Sequence, residues 1–233
     1  MGSVRWAIGA VLAVVGMIMC CVSPVLAADQ DFDVQFNGCT EFVGIGYVPF
    51  NNARALVPSH YALATGDGGK AIMVVRVTNC SAVTVAGGSP HAARTEQVGI
   101  MLAGEDPGAN INNYLLWFIT DSAPLNSKMN AAGIQTGVVT LLTLVYTPLL
   151  NTLAVNVTSV GSASYTVLGN ATAPTGLPVS FIANWFADTD QGTTRMHTEF
   201  PAIRFGSAST VLTPTPATEM AGLVGSLTLK FVL

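Results

Sequence analysis

The sequence predicts a mainly β protein: an antiparallel closed or cone-like β-barrel with a few short helices, or alternatively a β-sandwich. Runs rich in Val, Ile, Thr and aromatic residues recur along the chain. Clusters of Gly, Pro, Asn and Asp separate them, such as "TGDGG" at 65–69 and "DTDQG" at 188–192. Beyond residue 27 the sequence shows no long helical pattern. Many strands with short connections are typical of sandwiches and barrels.

The composition predicts one domain with a large core. Half of the 233 residues are hydrophobic and 9% are charged, against about 25% charged in an average soluble domain. Such a composition excludes disorder, which needs low hydrophobicity and high charge. The formal net charge of −4 argues against a nucleic-acid partner, because such proteins usually carry a basic patch.

The N-terminus has the pattern of a signal peptide. Arg5 precedes the apolar run "WAIGAVLAVVGMIMCCV", and "VLA" before Ala28 fits a small-residue cleavage site. We predict that residues 1–27 are a signal peptide, that 28–233 form a single β-barrel domain, and that the protein is secreted or periplasmic. The alternative is a retained membrane anchor, although the run is short for a spanning helix, which needs about 20 residues.

Cleavage after Ala27 would leave two cysteines, Cys39 and Cys80. An even pair in an exported chain indicates a disulfide rather than a metal site. The alternative is two free buried thiols.

The strand-like runs do not all alternate between apolar and polar residues, which indicates sheets covered on both faces. In chain order they are 41–48, 71–78, 96–102, 113–120, 137–146, 152–159, 164–168, 179–187, 193–200 and 226–232.

Three short helices interrupt the strands. The first, at 50–57, ends before Pro58, because a residue before proline avoids helical geometry. The second, within 122–133, has Ser122 as its N-cap candidate and Gly133 as its C-terminal stop. The third is opened by Pro216, within 216–225.

The order of elements over residues 41–140 resembles the acetoacetate decarboxylase-like family. In that family a helix ends in a Leu-Leu-Pro-like turn, and Leu56, Val57 and Pro58 match it. A strand and then a Tyr-Asn-Glu-Val-like motif follow in the family, and Glu96, with Gln97 and Val98 after it, is similar to that motif. The resemblance implies a cone-like β-barrel with an interior cavity.

The chain departs from the family where the family's chemistry lies. The decarboxylases use a Schiff-base lysine in a Gly-Arg-Glu…Gly-x-Pro-Lys motif, whereas this chain reads "IQTGVVTLL" after Gly133. Its three lysines are Lys70, Lys128 and Lys230. None has an evident setting that would lower its pKa, which a Schiff-base amine needs. Decarboxylation by that route is therefore not expected, and no cofactor is predicted.

The first candidate site is a pair of opposite charges. Arg76 lies among β-branched residues of its strand, and Glu96 is its natural partner if both strands line one cavity, because an unpaired buried charge is costly. The alternative is a structural ion pair.

The second candidate site is a row of polar residues in "TTRMHTEF". A period of two places Arg195, His197 and Glu199 on one face of a strand. Facing the lumen, the row could bind a carboxylate or move a proton through His197. The alternative is a solvated outer face with an ion pair.

Aromatic residues provide a third candidate set. Tyr114, Trp117 and Trp185 could form a stacking wall for an apolar ligand, or they could be core packing. His60, which follows Pro58, is either a residue at the barrel mouth or a solvated loop residue. The His spacing gives no zinc pattern, so no metal is predicted.

These observations leave three functions open. The first is an exported small-molecule-binding barrel with an apolar cavity, taking an apolar or carboxylate-bearing ligand. The second is a lyase or isomerase on the same barrel, with Arg76, Glu96 and His197 as acid–base residues; whether the protein is an enzyme stays undecided. The third is a structural or assembly protein, in which the low charge covers subunit interfaces of a homo-oligomer.

Overall fold

A closed six-stranded barrel and a five-stranded sheet make up the fold. The computed structural model describes residues 31–137, 139–159 and 163–232, so the signal peptide predicted at 1–27 lies outside the described residues. The predicted fold class, a mainly β protein with a closed barrel and a few short helices, is confirmed. The described strands and helices are β1 Phe32–Val48, α1 Phe50–Leu56, β2 Ala71–Val85, β3 His91–Met101, β4 Ile111–Thr120, α2 Ala123–Ala131, β5 Val139–Thr147, β6 Thr152–Ser159, β7 Tyr165–Ala171, β8 Val179–Thr189, β9 Gly192–Ile203, β10 Ala208–Pro214, α3 Glu219–Val224 and β11 Leu229–Val232.

The barrel has the strand order β1-β2-β3-β4-β8-β9, and the second sheet has the order β11-β10-β7-β6-β5. Two barrel seams, β1 with β9 and β4 with β8, are parallel. The expectation of an all-antiparallel barrel is wrong at these seams. Three strands of the second sheet, β5, β6 and β7, lie in the chain between β4 and β8, and its other two, β10 and β11, follow β9. Each parallel pair therefore joins strands that are far apart in sequence.

The structure also corrects two element predictions. β1 begins at Phe32, nine residues before the predicted run, and β10, which was not predicted, covers Ala208–Pro214. β10 lies between β7 and β11. Both of its neighbours hydrogen-bond to it, and this tertiary pairing outweighs its weak local pattern.

At an irregularity in the β1–β2 ladder, the side-chain alternation of both strands changes, so that side chains of the other parity point into the barrel. The register passes from Asn37 opposite Ala82 to Cys39 opposite Cys80 and leaves Gly38 and Ser81 outside the ladder. Gly38 has a φ of +60°, which glycine adopts without steric cost. Each strand has one residue that the ladder skips at this point, and the side-chain alternation of both strands shifts there by one position. Phe36 and Cys80 consequently both pack in the barrel interior.

Two hydrophobic cores explain the apolar runs. The barrel core, inside the barrel, contains Val74 and Trp185. The intersheet core, between the barrel and the second sheet, contains Val75 and Tyr165. Because successive residues of β2 enter different cores, the strand is buried on both faces over residues 73–78, as the sequence indicated.

The predicted disulfide is confirmed, since Cys39 and Cys80 are bonded. The three predicted helices are also present. α1 ends before Pro58, and the Arg54 guanidinium donates to the backbone carbonyls of Val57, Pro58 and Tyr61. This arrangement fixes the loop that carries His60.

The second helix closes one end of the barrel. The Ser122 hydroxyl accepts a hydrogen bond from the Leu125 backbone N–H at 3.2 Å and caps the helix, as predicted. Leu125 and Met129 are buried in the barrel core. The chain then turns at Gly133, whose φ is +78°, and runs beside the end of β4, where the Gly137 N–H donates to the Phe118 carbonyl at 2.8 Å.

Candidate functional site

Arg76 lies inside the barrel in a pair with Glu41. Its Nε and Nη2 atoms donate to the two Glu41 carboxylate oxygens at 2.9 and 3.1 Å, and its Nη1 donates to the Gln97 side-chain oxygen. The guanidinium carbon lies 4.3 Å from the ring centres of both Phe36 and Phe200. Arg76 is therefore held by a bidentate pair and two aromatic rings, and its charge is neutralised within the protein.

Glu96 lies on the opposite side of the sheet, so the expected Arg76–Glu96 pair is wrong. The register places Gln97 opposite Arg76 and Glu96 opposite Val77. Neighbouring residues of a strand face opposite sides, and Glu96 enters the intersheet core. The Tyr165 hydroxyl donates to Glu96 Oε1 at 3.1 Å. Burial raises the pKa of the Glu96 carboxyl to about 8.

The row of Arg195, His197 and Glu199 lies on the outer side of β9, whereas Met196 between them packs in the barrel core. Arg195 forms ion pairs with Asp31 at 3.1 Å and with Asp106 at 3.3 Å. The row therefore does not face the lumen.

The same surface holds the loop between β3 and β4 against the barrel. The His197 Nδ1 lies 2.8 Å from the Asn184 side-chain oxygen, and the Asn184 amide donates to Asp106 at 2.9 Å. The pKa of the Asp106 carboxyl lies below its usual value. The chief cause is the hydrogen bond from the Gly108 backbone N–H, followed by the one from the Asn184 amide. These contacts have a structural role in fixing the loop.

Two of the predicted aromatic residues are separated by the barrel wall. Trp185 is fully buried in the barrel core. Trp117 is half-buried on the outside, where its indole N–H donates to Glu219 at 3.1 Å. The two tryptophans therefore do not form one stacking wall.

The centre of the barrel contains buried polar atoms that lack a partner among the described residues. They are the Gln97 Nε2, both amide atoms of Asn113 and the Trp185 Nε1. Gly99 makes room for these side chains, because a Cβ at this position would lie 2.9 Å from the Trp185 ring and 3.2 Å from the Asn113 Cβ. These side chains occupy the centre of the barrel.

A cleft of about 340 Å³ opens where β4 and β8 separate. Their parallel pairing runs from Ile111 opposite Ala183 to Tyr114 opposite Phe186 and ends there. The segment after α2 forms another wall. The residues lining the cleft are Tyr114, Leu115, Leu116, Phe118, Gly133, Ile134, Gln135, Ala187, Asp188, Thr189 and Asp190. Tyr114 is the predicted ligand-binding residue that the structure places here.

Asp188 is held by hydroxyl groups at the wall of this cleft. The Tyr61 hydroxyl and the Thr193 hydroxyl donate to its Oδ1 at 3.0 and 3.1 Å. The His60 Nε2 lies 3.4 Å from its Oδ2. His60 therefore takes part in this cluster, which the sequence left undecided.

Aromatic rings pack around Tyr61, which donates to the Asp188 carboxylate. The Tyr61 ring lies 5.3 Å from the Tyr114 ring and 6.2 Å from the Phe186 ring. Burial, with Asp188 as a lesser cause, raises the pKa of the Tyr61 hydroxyl, and burial also raises the pKa of Tyr114. Both tyrosines are therefore protonated at neutral pH and remain donors.

Sequence reasoning missed Asp188, because "DTDQG" was read only as a turn. Tyr61 and Asp188 are 127 residues apart, and no local pattern links them. Within the described ranges, no three His, Cys, Asp or Glu side chains are grouped so as to hold a metal ion. Of the helices described, none is long and apolar enough to cross a membrane.

Comparisons with known proteins find similarity in solved structures alone. No family model and no curated protein matches the chain. An acetoacetate decarboxylase from Legionella pneumophila matches with 8% identity and a TM-score of 0.49, over 85% of this chain and 82% of that chain. A second acetoacetate decarboxylase structure matches with 11% identity and a TM-score of 0.49, over 85% of both chains.

An acetoacetate decarboxylase-like enzyme from Sphingomonas wittichii matches with 10% identity and a TM-score of 0.45, over 88% of this chain and 89% of that chain. The matched structures come from the family that the sequence resembles. At these identities and TM-scores the likeness carries no statement about the activity of this chain.

Proposed function

We propose that the protein binds a small molecule in the cleft between β4 and β8. The observation that carries the proposal is the cleft itself. Its volume of about 340 Å³ falls in the usual range for ligand sites, about 300–1,000 Å³. The exposed part of its lining is mainly polar, and the apolar side chains of Leu115, Phe118 and Ile134 lie beneath it.

The floor of the cleft continues into the apolar interior. Leu115, Phe118 and Ile134 line the cleft and also belong to the barrel core. A ligand in the cleft would bury its apolar part against these side chains, and such burial contributes about 25 cal/mol per Å². The polar atoms of Asp188 and Thr189 would then fix its orientation.

The positions of Arg76, Glu96 and His197 do not support the enzyme alternative. Arg76 is inside the barrel, Glu96 is in the intersheet core and His197 is on the outer surface. Acid–base catalysis needs groups that reach one substrate, and these three do not converge.

One observation favours the assembly alternative as a second function. Val145, Ala154, Leu168 and Val211 are consecutive partners across the outer face of the second sheet, with Val145 54% and Leu168 60% exposed. We propose this apolar row as a contact between copies of the chain. Light scattering coupled to size-exclusion chromatography tests it: a monomer at 100 µM would exclude the assembly role.

Binding of 2-phenylethanol tests the cleft. Saturation-transfer NMR and calorimetry would measure its binding to the purified protein. Gln135→Trp places an indole at the exposed rim of the cleft, and we expect it to abolish binding. Leu227→Trp is the control, because Leu227 is 88% exposed and does not line the cleft. Equal binding to both variants would place the site elsewhere, and no binding to the unmodified protein would contradict the proposal.

A further inference from the structure

The cleft carries negative charge and no compensating positive charge in its lining. Asp188 and Asp190 line it, and among the described residues no Lys or Arg does. A carboxylate-bearing ligand, which the sequence analysis included, would lie beside these charges without a counter-ion. Such a ligand would be repelled and would lose its hydration without compensation.

The Asp188 carboxylate is held in one orientation. Two hydroxyl donors, those of Tyr61 and Thr193, converge on its Oδ1. Tyr61 is itself buried at 3% exposure, so its hydroxyl is a fixed donor. A carboxylate that is fixed before the ligand binds loses less side-chain entropy on binding.

The second carboxylate oxygen of Asp188, Oδ2, has a weaker contact than Oδ1. The His60 Nε2 lies 3.4 Å away, and the His60 side chain is 60% exposed, so it can move into solvent. The Asp188 side chain is 28% exposed. Asp188 lines the cleft, and its Oδ2 atom, with one long contact to His60, can accept a further hydrogen bond.

We propose that the cleft selects a small organic cation, an apolar body that carries an ammonium group, with Asp188 Oδ2 accepting the N–H donor. The Tyr114 ring at the wall of the cleft adds an attractive surface for the cation. This inference rests on the proposed binding function of the cleft and specifies its ligand class.

Three probes of the same shape and different charge test the inference. They are 2-phenylethylamine, 2-phenylethanol and 3-phenylpropanoate, with affinities measured by calorimetry at low and high salt. We expect the amine to bind about tenfold more tightly than the alcohol, because a partly desolvated charge pair contributes on this scale. The carboxylate should bind most weakly, and salt should reduce the preference for the amine.

Asp188→Asn should remove most of the preference for the amine and leave the affinity for the alcohol nearly unchanged. Asp67→Asn is the matched control, because Asp67 is exposed and outside the cleft. If Asp188→Asn disturbs the fold, as circular dichroism would show, Tyr61→Phe replaces it. That variant keeps the charge but removes one donor to Oδ1 and should lower the affinity for the amine alone.

The outcomes of these binding experiments test the ligand class and the binding function separately. Equal affinities for the amine and the alcohol, or tightest binding of the carboxylate, would overturn the inference and leave the binding function intact. An amine preference that survives Asp188→Asn would overturn the role of Asp188. Failure of all three probes to bind would overturn the proposed function itself.

Discussion

Replacing Glu96 by glutamine should change how the stability of the protein depends on pH. Glu96 is fully buried in the intersheet core, and the Tyr165 hydroxyl donates to its Oε1 at 3.1 Å, whereas its Oε2 has no partner among the described residues. Burial raises its pKa from an ordinary value of 4.5 to about 8. The folded protein therefore keeps the carboxyl protonated at neutral pH.

The stability of the protein falls as the pH rises, because the folded state holds a proton that the unfolded chain releases. Between about pH 4.5 and pH 8 the unfolded chain has released this proton and the folded chain still binds it. The contribution of Glu96 to stability is fully present below pH 4.5 and is lost as the pH rises through 8. The loss is about 1.4 kcal/mol per pH unit within this window and reaches on the order of 5 kcal/mol. Since whole domains are stable by about 5–15 kcal/mol, the effect is large.

Urea unfolding midpoints between pH 5 and pH 9, with the disulfide intact, would measure this dependence. Glu96→Gln removes the titration and keeps the acceptor for Tyr165, so its stability should exceed that of the unmodified protein increasingly as the pH rises. Glu105→Gln is the matched control, because Glu105 is exposed. A stability difference between Glu96→Gln and the unmodified protein that stays constant from pH 5 to pH 9 would refute the reasoning.

Three further substitutions test the barrel. Replacing Cys39 and Cys80 by alanine opens a loop of sequence separation 41 and should cost about 4 kcal/mol in urea unfolding; a loss under about 1 kcal/mol would mean that the bond adds little to stability. Arg76→Met leaves Glu41 buried without its partner and should cost about 3–5 kcal/mol. Adding Glu41→Leu should recover most of this loss, and no recovery would show that the two charges act independently. Asn113→Leu removes two unpaired buried amide atoms and should raise stability by about 2 kcal/mol; a decrease would show that the amide is hydrogen-bonded in solution.

Much of the fold could be predicted because its signals are local. Ser122, Pro124 and Gly133 mark the ends of α2, and Pro58 marks the end of α1. These residues act on their own backbone, through a fixed φ, a capping hydroxyl or a left-handed turn. β10 was missed because nothing in its own seven residues shows that two neighbours pair with it.

The candidate site could be predicted only in part. Tyr114 was identified and lines the cleft, whereas Asp188 was read as a turn residue. The expected Arg76–Glu96 pair does not form, because the strand register places Gln97, the next residue, opposite Arg76. A shift of one residue moves a side chain to the other face of a sheet, and a sequence does not state the register.

The sequence by itself determined the β class, the helix ends and the cysteine pair, because each depends on residue type and on neighbours in the chain. Only the tertiary structure decided which face of each strand meets which core, that the second sheet covers the barrel, and that Tyr61 and Thr193 hold Asp188 beside a cleft. These features depend on contacts between distant segments. Such contacts form only when segments far apart in the sequence pack together in the folded protein.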